Sequence, residues 1–157
     1  MIKNGKGFSL IELLAVILTI GILTSLAIPN YRTSTIKAKI ASNMPFLRAL
    51  QNDMLNFYDG TGNLPTDIRQ LSINAAEFEG NVHTPTRCTI TIENTPAVKM
   101  DCNQGWNMLY SLESTSYGYS LGTRTFNITA SGSEGERLKK IANNFGWSGS
   151  NNTYTIR

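Results

Sequence analysis

Residues 8–28 read FSLIELLAVILTIGILTSLAI, and this run decides the fold. As a helix rising about 1.5 Å per residue, its 21 residues reach roughly 31 Å, enough to cross a bilayer core of about 30 Å. A cleaved secretory signal has a shorter apolar region, about 7–15 residues, ending in a small-x-small site. Here the run ends in Ile28-Pro29-Asn30 and has no such site. Segment 8–28 is therefore expected to stay in the protein as a transmembrane anchor. Before it, residues 1–7 (MIKNGKG) are polar and positive through Lys3 and Lys6. That charge predicts a cytoplasmic N-terminal side and a C-terminal domain on the outside.

Glu12 is out of place in this run. An ionised carboxylate in a membrane helix costs about 2.5–3.5 kcal/mol on insertion scales, so such a residue is a functional candidate. Two readings are open. Glu12 lies about one turn from the helix end and snorkels to the interface, or it meets a cation supplied by another subunit.

Gly7-Phe8-Ser9-Leu10-Ile11-Glu12-Leu13-Leu14 resembles the prepilin cleavage and N-methylation motif of type IV pilins and type II secretion pseudopilins. The likeness continues through Gly21 and Ala27-Ile28-Pro29-Asn30-Tyr31. It joins a basic leader ending in Gly, a Phe, a Glu at the fifth mature position and an unbroken apolar helix. The resemblance implies that residues 1–7 are a leader, removed after Gly7 by a membrane-embedded prepilin peptidase. Phe8 becomes the N-methylated N-terminus. Glu12 pairs with the N-terminal amine of a neighbouring subunit, as a buried charge requires a partner. Gly21 belongs to the assembly helix. Pro29 lies where such helices loosen, consistent with the backbone hydrogen bond that proline removes. The implied partners are the peptidase, an assembly platform in the inner membrane, and further copies of the chain in a helical filament. No cofactor and no enzymatic activity are expected.

Downstream, residues 29–157 are expected to hold an amphipathic helix and a globular head. Ile36, Ile40, Met44, Leu47, Leu50, Met54 and Tyr58 recur at spacings of three and four, so they share one helix face. Lys37, Lys39, Arg48, Gln51 and Asn52 fall mostly off it. Pro45 breaks the pattern and predicts a kink. Gly60 is expected to cap the helix. After the loop 61–65, Asp67 is placed to cap a short helix over 68–73.

Cys88–Glu93 and Ala97–Cys102 alternate with period two and predict a hairpin across a turn at 94–97. Cys88 and Cys102 then lie near its open ends, close enough to bridge. A disulfide closing a loop of this size contributes about 3 kcal/mol in the chain-entropy model. Two buried free thiols are the alternative. Many pilins carry a disulfide nearer the C-terminus; this pair lies in mid-domain. Residues 117–121 and 125–129 predict two further strands joined by Gly122-Thr123-Arg124. Residues 136–145 predict a helix followed by Gly146, and 153–156 a last strand. The predicted class is α+β: one long N-terminal helix, transmembrane then amphipathic, packed on a small antiparallel sheet.

The formal charge is +3, or +1 once Lys3 and Lys6 leave with the leader (3 − 2), and the charges are scattered. This makes nucleic acid an unlikely partner class. His83 is the sole histidine; no nucleophile or carboxylate at a recognisable spacing accompanies it, so a loop or surface position is expected. Asp101–Gly105 reads as a turn rather than a calcium loop. Trp106, Tyr110, Tyr117, Tyr119 and Trp147 are expected mainly in core and strand packing. Asn127-Ile-Thr129 and Asn151-Asn-Thr153 match a short glycosylation sequon. The functions left are a filament subunit, a secretion pseudopilin or minor pilin, a pilin that captures DNA or a ligand, and a membrane-anchored enzyme.

Overall fold

The structure is a computed structural model that describes residues 7–72, 77–93 and 96–157. Lys3, Lys6, Ile73 and the turn residues Asn94 and Thr95 lie outside the described residues. The chain divides into two compact units, Met1–Ala38 and Lys39–Arg157. One helix, α1 (Leu10–Thr61), supplies most of the first unit and opens the second.

Between Leu10 and Ile28 every described large apolar side chain of α1 is exposed, with Leu10 at 80% and Ile28 at 54%. The most apolar 18-residue window has a mean hydropathy of 2.4 and is not buried at all. In the second unit α1 becomes amphipathic. Ile40, Leu47, Leu50 and Met54 are fully buried or nearly so, while Met44 and Tyr58 are partly covered; Ile36, in the first unit, is partly covered too. Pro45 does not end the helix. The helix stops at Thr61, and the capping glycine is Gly62, not Gly60. Gly62 has φ +71° and its N–H bonds the Tyr58 carbonyl at 2.7 Å. Only glycine enters that left-handed region without steric cost.

Asp67 does cap the next element, but as one 3₁₀ turn (Ile68–Gln70). Its carboxylate accepts the Arg69 N–H at 2.8 Å, and the Gln70 amide oxygen accepts the Asp67 N–H at 3.1 Å. These two bonds form a capping box, satisfying donors that a single turn leaves free.

The head sheet is antiparallel. Its strands are β1 (Phe78–Glu79), β2 (Val82–His83), β3 (Cys88–Glu93), β4 (Ala97–Asp101), β5 (Trp106–Thr115), β6 (Gly118–Ile128), β7 (Ser148–Ser150) and β8 (Thr153–Thr155). Their order is β1-β2-β3-β4-β5-β6-β8-β7. The predicted hairpin is present as β3 and β4, with Ile90 opposite Met100. Helix α2 (Gly132–Asn144) starts four residues before the predicted helix and buries Leu138, Ile141 and Ala142. Trp106, Phe126 and Trp147 form a chain of ring contacts at 5.7 and 5.3 Å between β5, β6 and the segment after α2.

Two expectations for the sheet are corrected. The central strand β5 was not predicted, because WNMLYSLEST alternates weakly, with Leu109 and Ser111 facing outward. And 117–121 and 125–129 are one strand, β6, not two. The register passes from Tyr110↔Arg124 to Leu112↔Leu121, so Ser111 faces both Gly122 and Thr123. The expected turn at Gly122 is instead a β-bulge within a continuous strand. Glycine is needed there for close approach: an added Cβ would lie 2.9 Å from the Ser111 carbonyl oxygen.

Candidate functional site: the N-terminal segment

Gly7 and Phe8 precede the helix, and Phe8 is 87% exposed. Ser9 stands just before α1, and Glu12 is three residues on. The Glu12 carboxylate accepts the Ser9 backbone N–H at 2.9 Å, while the Glu12 N–H donates to the Ser9 carbonyl at 3.0 Å. This is the reciprocal half of a capping box, with an acid favourably set at a helix N-terminus. In the single chain, then, Glu12 satisfies itself locally. No cation of the described residues meets it.

The remaining polar side chains of this segment are also closed on the helix. Thr19 donates to the Val16 carbonyl at 2.8 Å, Thr24 to Ile20 at 2.8 Å, and Ser25 to Ile22 at 2.7 Å. A helix surrounded by hydrocarbon must pair its polar groups internally, and this one does. At Gly21 an added Cβ would meet nothing of its own chain within 4 Å, so intrachain packing does not demand a glycine. A small residue on an uncovered helix face permits close approach of a second helix. At Pro29 the backbone is helical.

The other predicted pair is joined. Cys88 and Cys102 form a disulfide with a Cα–Cα separation of 4.1 Å. They extend the β3–β4 register by one pair and are buried at 0% and 5% exposure. Asn43 of α1 lies against both sulfurs, its Nδ2 4.0 Å from each.

The polar groups that tie α1 to the sheet are not among the residues the sequence pointed to. Gln51, expected off the packed face, is fully buried. Its amide Nε2 donates to the Ser111 and Gly122 carbonyls at the bulge, and its Oε1 accepts from Arg124 at 2.9 Å. A bulge leaves backbone groups without ladder partners, and Gln51 supplies the missing bonds. Its signal was its place beside Leu47, Leu50 and Met54 on the helix. His83 is also corrected: it is 4% exposed rather than on the surface. Its ring stacks on Phe46 at 4.2 Å, with Nδ1 2.8 Å from Thr86 and Nε2 3.3 Å from Glu77. Pairing of β2 with β3 is what turns the ring inward. Burial pushes the Tyr110 phenol up, and the guanidinium groups of Arg48 and Arg124 oppose that shift.

The Asp101–Gly105 turn is an Asx turn, in which Asp101 accepts the Asn103 N–H at 2.8 Å. Among the described residues no three His, Cys, Asp or Glu side chains gather as a metal site. Trp106, Tyr110 and Trp147 are core residues, whereas Tyr117 is fully exposed.

No protein-family model matches the chain, and no solved structure matches it significantly. Curated relatives do match. The chain is 28% identical over 100 residues to a "Fimbrial protein" of Neisseria meningitidis serogroup A / serotype 4A, covering 57% of this chain and 59% of the relative. It is 27% identical over 101 residues to a "Type IV major pilin protein PilE1" of Neisseria gonorrhoeae, covering 57% and 61%. A second protein of that name and organism is 28% identical over 93 residues, covering 52% of each. The match thus spans about three fifths of the length of the first two relatives. The N-terminal motif, a long membrane-length helix joined to an antiparallel sheet, and likeness to these fimbrial and pilin proteins over more than half the chain support a type IV pilin.

Proposed function

We propose that this chain is the precursor of a structural subunit of a type IV pilus. The observation that carries the reading is the uncovered apolar helix of the first unit, with Glu12 as its sole charged residue up to Arg32. Such a surface is stable in a bilayer or against other copies, and a filament offers the second without the first.

The subunit is inserted with its N-terminus in the cytoplasm, cut after Gly7 by the prepilin peptidase and methylated on Phe8. The assembly platform then draws it from the inner membrane into the filament. Loss of the leader leaves an amine at Phe8, and Glu12 exchanges its local Ser9 N–H for the amine of a neighbouring copy. That pairing offsets the cost of holding a carboxylate among apolar helices. Gly21 permits close helix contact, and the backbone near Pro29 loosens during packing. The contacts are heterologous and do not close, so growth continues along an axis. Adhesion, motility or surface attachment follows from such a fibre. The role is structural rather than enzymatic, as it is for the pilins it resembles.

Intact mass and N-terminal sequence of the protein from sheared surface material of its native cell test this. A chain starting at methylated Phe8 and abundant in that fraction is the expected result. The same mature chain confined to membranes would make it a secretion pseudopilin or minor pilin. An uncleaved Met1 start would overturn the reading.

A further inference from the structure

The disulfide sits among polar atoms that it cannot use. Asn43 of α1 is 1% exposed, and its Oδ1 is buried without a hydrogen bond to any described residue. Its Nδ2 is 4.0 Å from both Cys88 Sγ and Cys102 Sγ, a long contact to weak acceptors. The Thr86 carbonyl oxygen lies 3.4 Å from Cys88 Sγ. A disulfide sulfur carries no hydrogen, so neither oxygen receives one from the pair. Trp106 stands beside Cys102, one residue beyond the Asp101↔Asn107 pair. Its Nε1–H is likewise buried without an acceptor among the described residues. Buried polar groups are normally satisfied, and the exceptions mark strain, an ordered water or a redox role. Here two of them flank one disulfide.

Reduction changes this environment. Each sulfur gains a hydrogen and becomes a weak donor. Cys88 S–H then faces the Thr86 carbonyl, already within bonding distance. Cys102 S–H has the Asn43 amide beside it, and turning that amide about its last torsion brings Oδ1 to the sulfurs. The disulfide leaves an acceptor empty that the dithiol fills. Both cysteines are covered, at 0% and 5% exposure, but the turn before Cys88 is not. Arg87 is exposed and held at φ +55°, a region costly for a residue with a Cβ. Opening of that turn bares Cys88 Sγ.

We propose that Cys88–Cys102 is a reversible redox switch in the head, and that Asn43 tunes it by stabilising the dithiol. A thiolate of a dithiol reductant attacks Cys88 Sγ. The S–S bond breaks, and Cys102 leaves as a thiolate that takes up a proton. The second thiolate of the reductant then attacks its own sulfur in the mixed disulfide and releases Cys88, which is protonated in turn. The pair gains two electrons and two protons, and the reductant leaves as a disulfide. The ladder from Thr89↔Asp101 to Glu93↔Ala97 keeps β3 and β4 paired without the cross-link.

The test equilibrates the full chain in detergent micelles with graded ratios of reduced to oxidised dithiothreitol. Free thiols are then blocked, and intact mass reads the dithiol fraction. Amide NMR reads the fold of the reduced protein. Reduced wild type should keep dispersed head amides, with the Asn43 side-chain amide signal shifted. Asn43→Leu and Asn43→Ala should each favour the disulfide about fivefold or more over wild type, the loss of one hydrogen bond. Asn52→Ala, exposed on the same helix, should leave the equilibrium unchanged. Equal equilibria in wild type and the Asn43 variants would overturn the proposal, as would collapse of the head amides on reduction. Should neither Asn43 variant fold, reduced wild type decides alone: an unmoved Asn43 side-chain signal overturns it. The assay needs no filament, so it stands apart from the pilus reading.

Discussion

Two stretches of one helix behave in opposite ways. Between Leu10 and Ile28 every described large apolar side chain of α1 is exposed; between Ile40 and Met54 the apolar side chains of one face are buried under the head sheet. The residue types are similar. What differs is whether the chain carries its own cover. The second stretch meets β-strands of its own unit, and polar residues among its apolar ones (Asn43, Gln51) find partners there. The first has no cover of its own, and its polar side chains close back on the helix. A helix apolar all round needs an environment from outside, a bilayer or neighbouring copies.

The comparison can be broken most directly at Glu12. Glu12→Ala should leave membrane insertion intact while lowering sheared-filament yield about tenfold or more, the cost of roughly one buried charge pair; wild-type yield would show that the first stretch assembles without that charge. Next, Leu47→Ala should destabilise the head by about 2–5 kcal/mol in thermal or denaturant unfolding, as burial of a leucine implies. Leu18→Ala, on the uncovered stretch, should leave the same transition in place. A comparable loss from both would erase the distinction. Third, reduction or Cys88→Ser should cost about 3 kcal/mol in the head, read as a lower midpoint, with no change in membrane insertion. Fourth, Gln51→Ala should cost about 1–3 kcal/mol, because it leaves two carbonyls and an arginine without a buried partner; hydrogen exchange should rise first around Ser111 and Gly122.

The smallest expected effect is one of pH. The Arg69 N–H holds the Asp67 carboxylate below its usual range, with the Arg69 charge adding to this. A lowered folded-state pKa adds stability above the unfolded value and loses it as pH falls through the folded one. Exchange at residues 67–71 should therefore quicken in acid below the ordinary carboxylate range, and Asp67→Asn should flatten that response.

Much of this was legible beforehand. The span at 8–28, the β3–β4 hairpin, the cysteine pair, α2 and the last strand came from periodicity and punctuation. The failures share a cause. β5 hid because its outward positions include Leu109, which blurs alternation. Gly122 read as a turn because a glycine between two β-rich runs marks either a turn or a bulge, and only strand pairing separates them. Gln51 and His83 were placed outside because polar type predicts exposure on average, and nothing local shows the partner that reverses it. Gly62 replaced Gly60 because helix ends are set by the last favourable cap, which neighbouring glycines leave open.

The sequence alone determined a membrane-length apolar helix at the N-terminus, the charge within it, and an α+β chain with one cysteine pair. These depend on composition and spacing, which act within a few residues. Only the tertiary structure decided that Gln51 closes the β6 bulge, that Asn43 rests on the disulfide, and that Asn107 accepts a hydrogen bond from Asn127 across β5 and β6. Each depends on residues tens of positions apart being brought to hydrogen-bond distance, and burial makes those bonds count only once the head is packed.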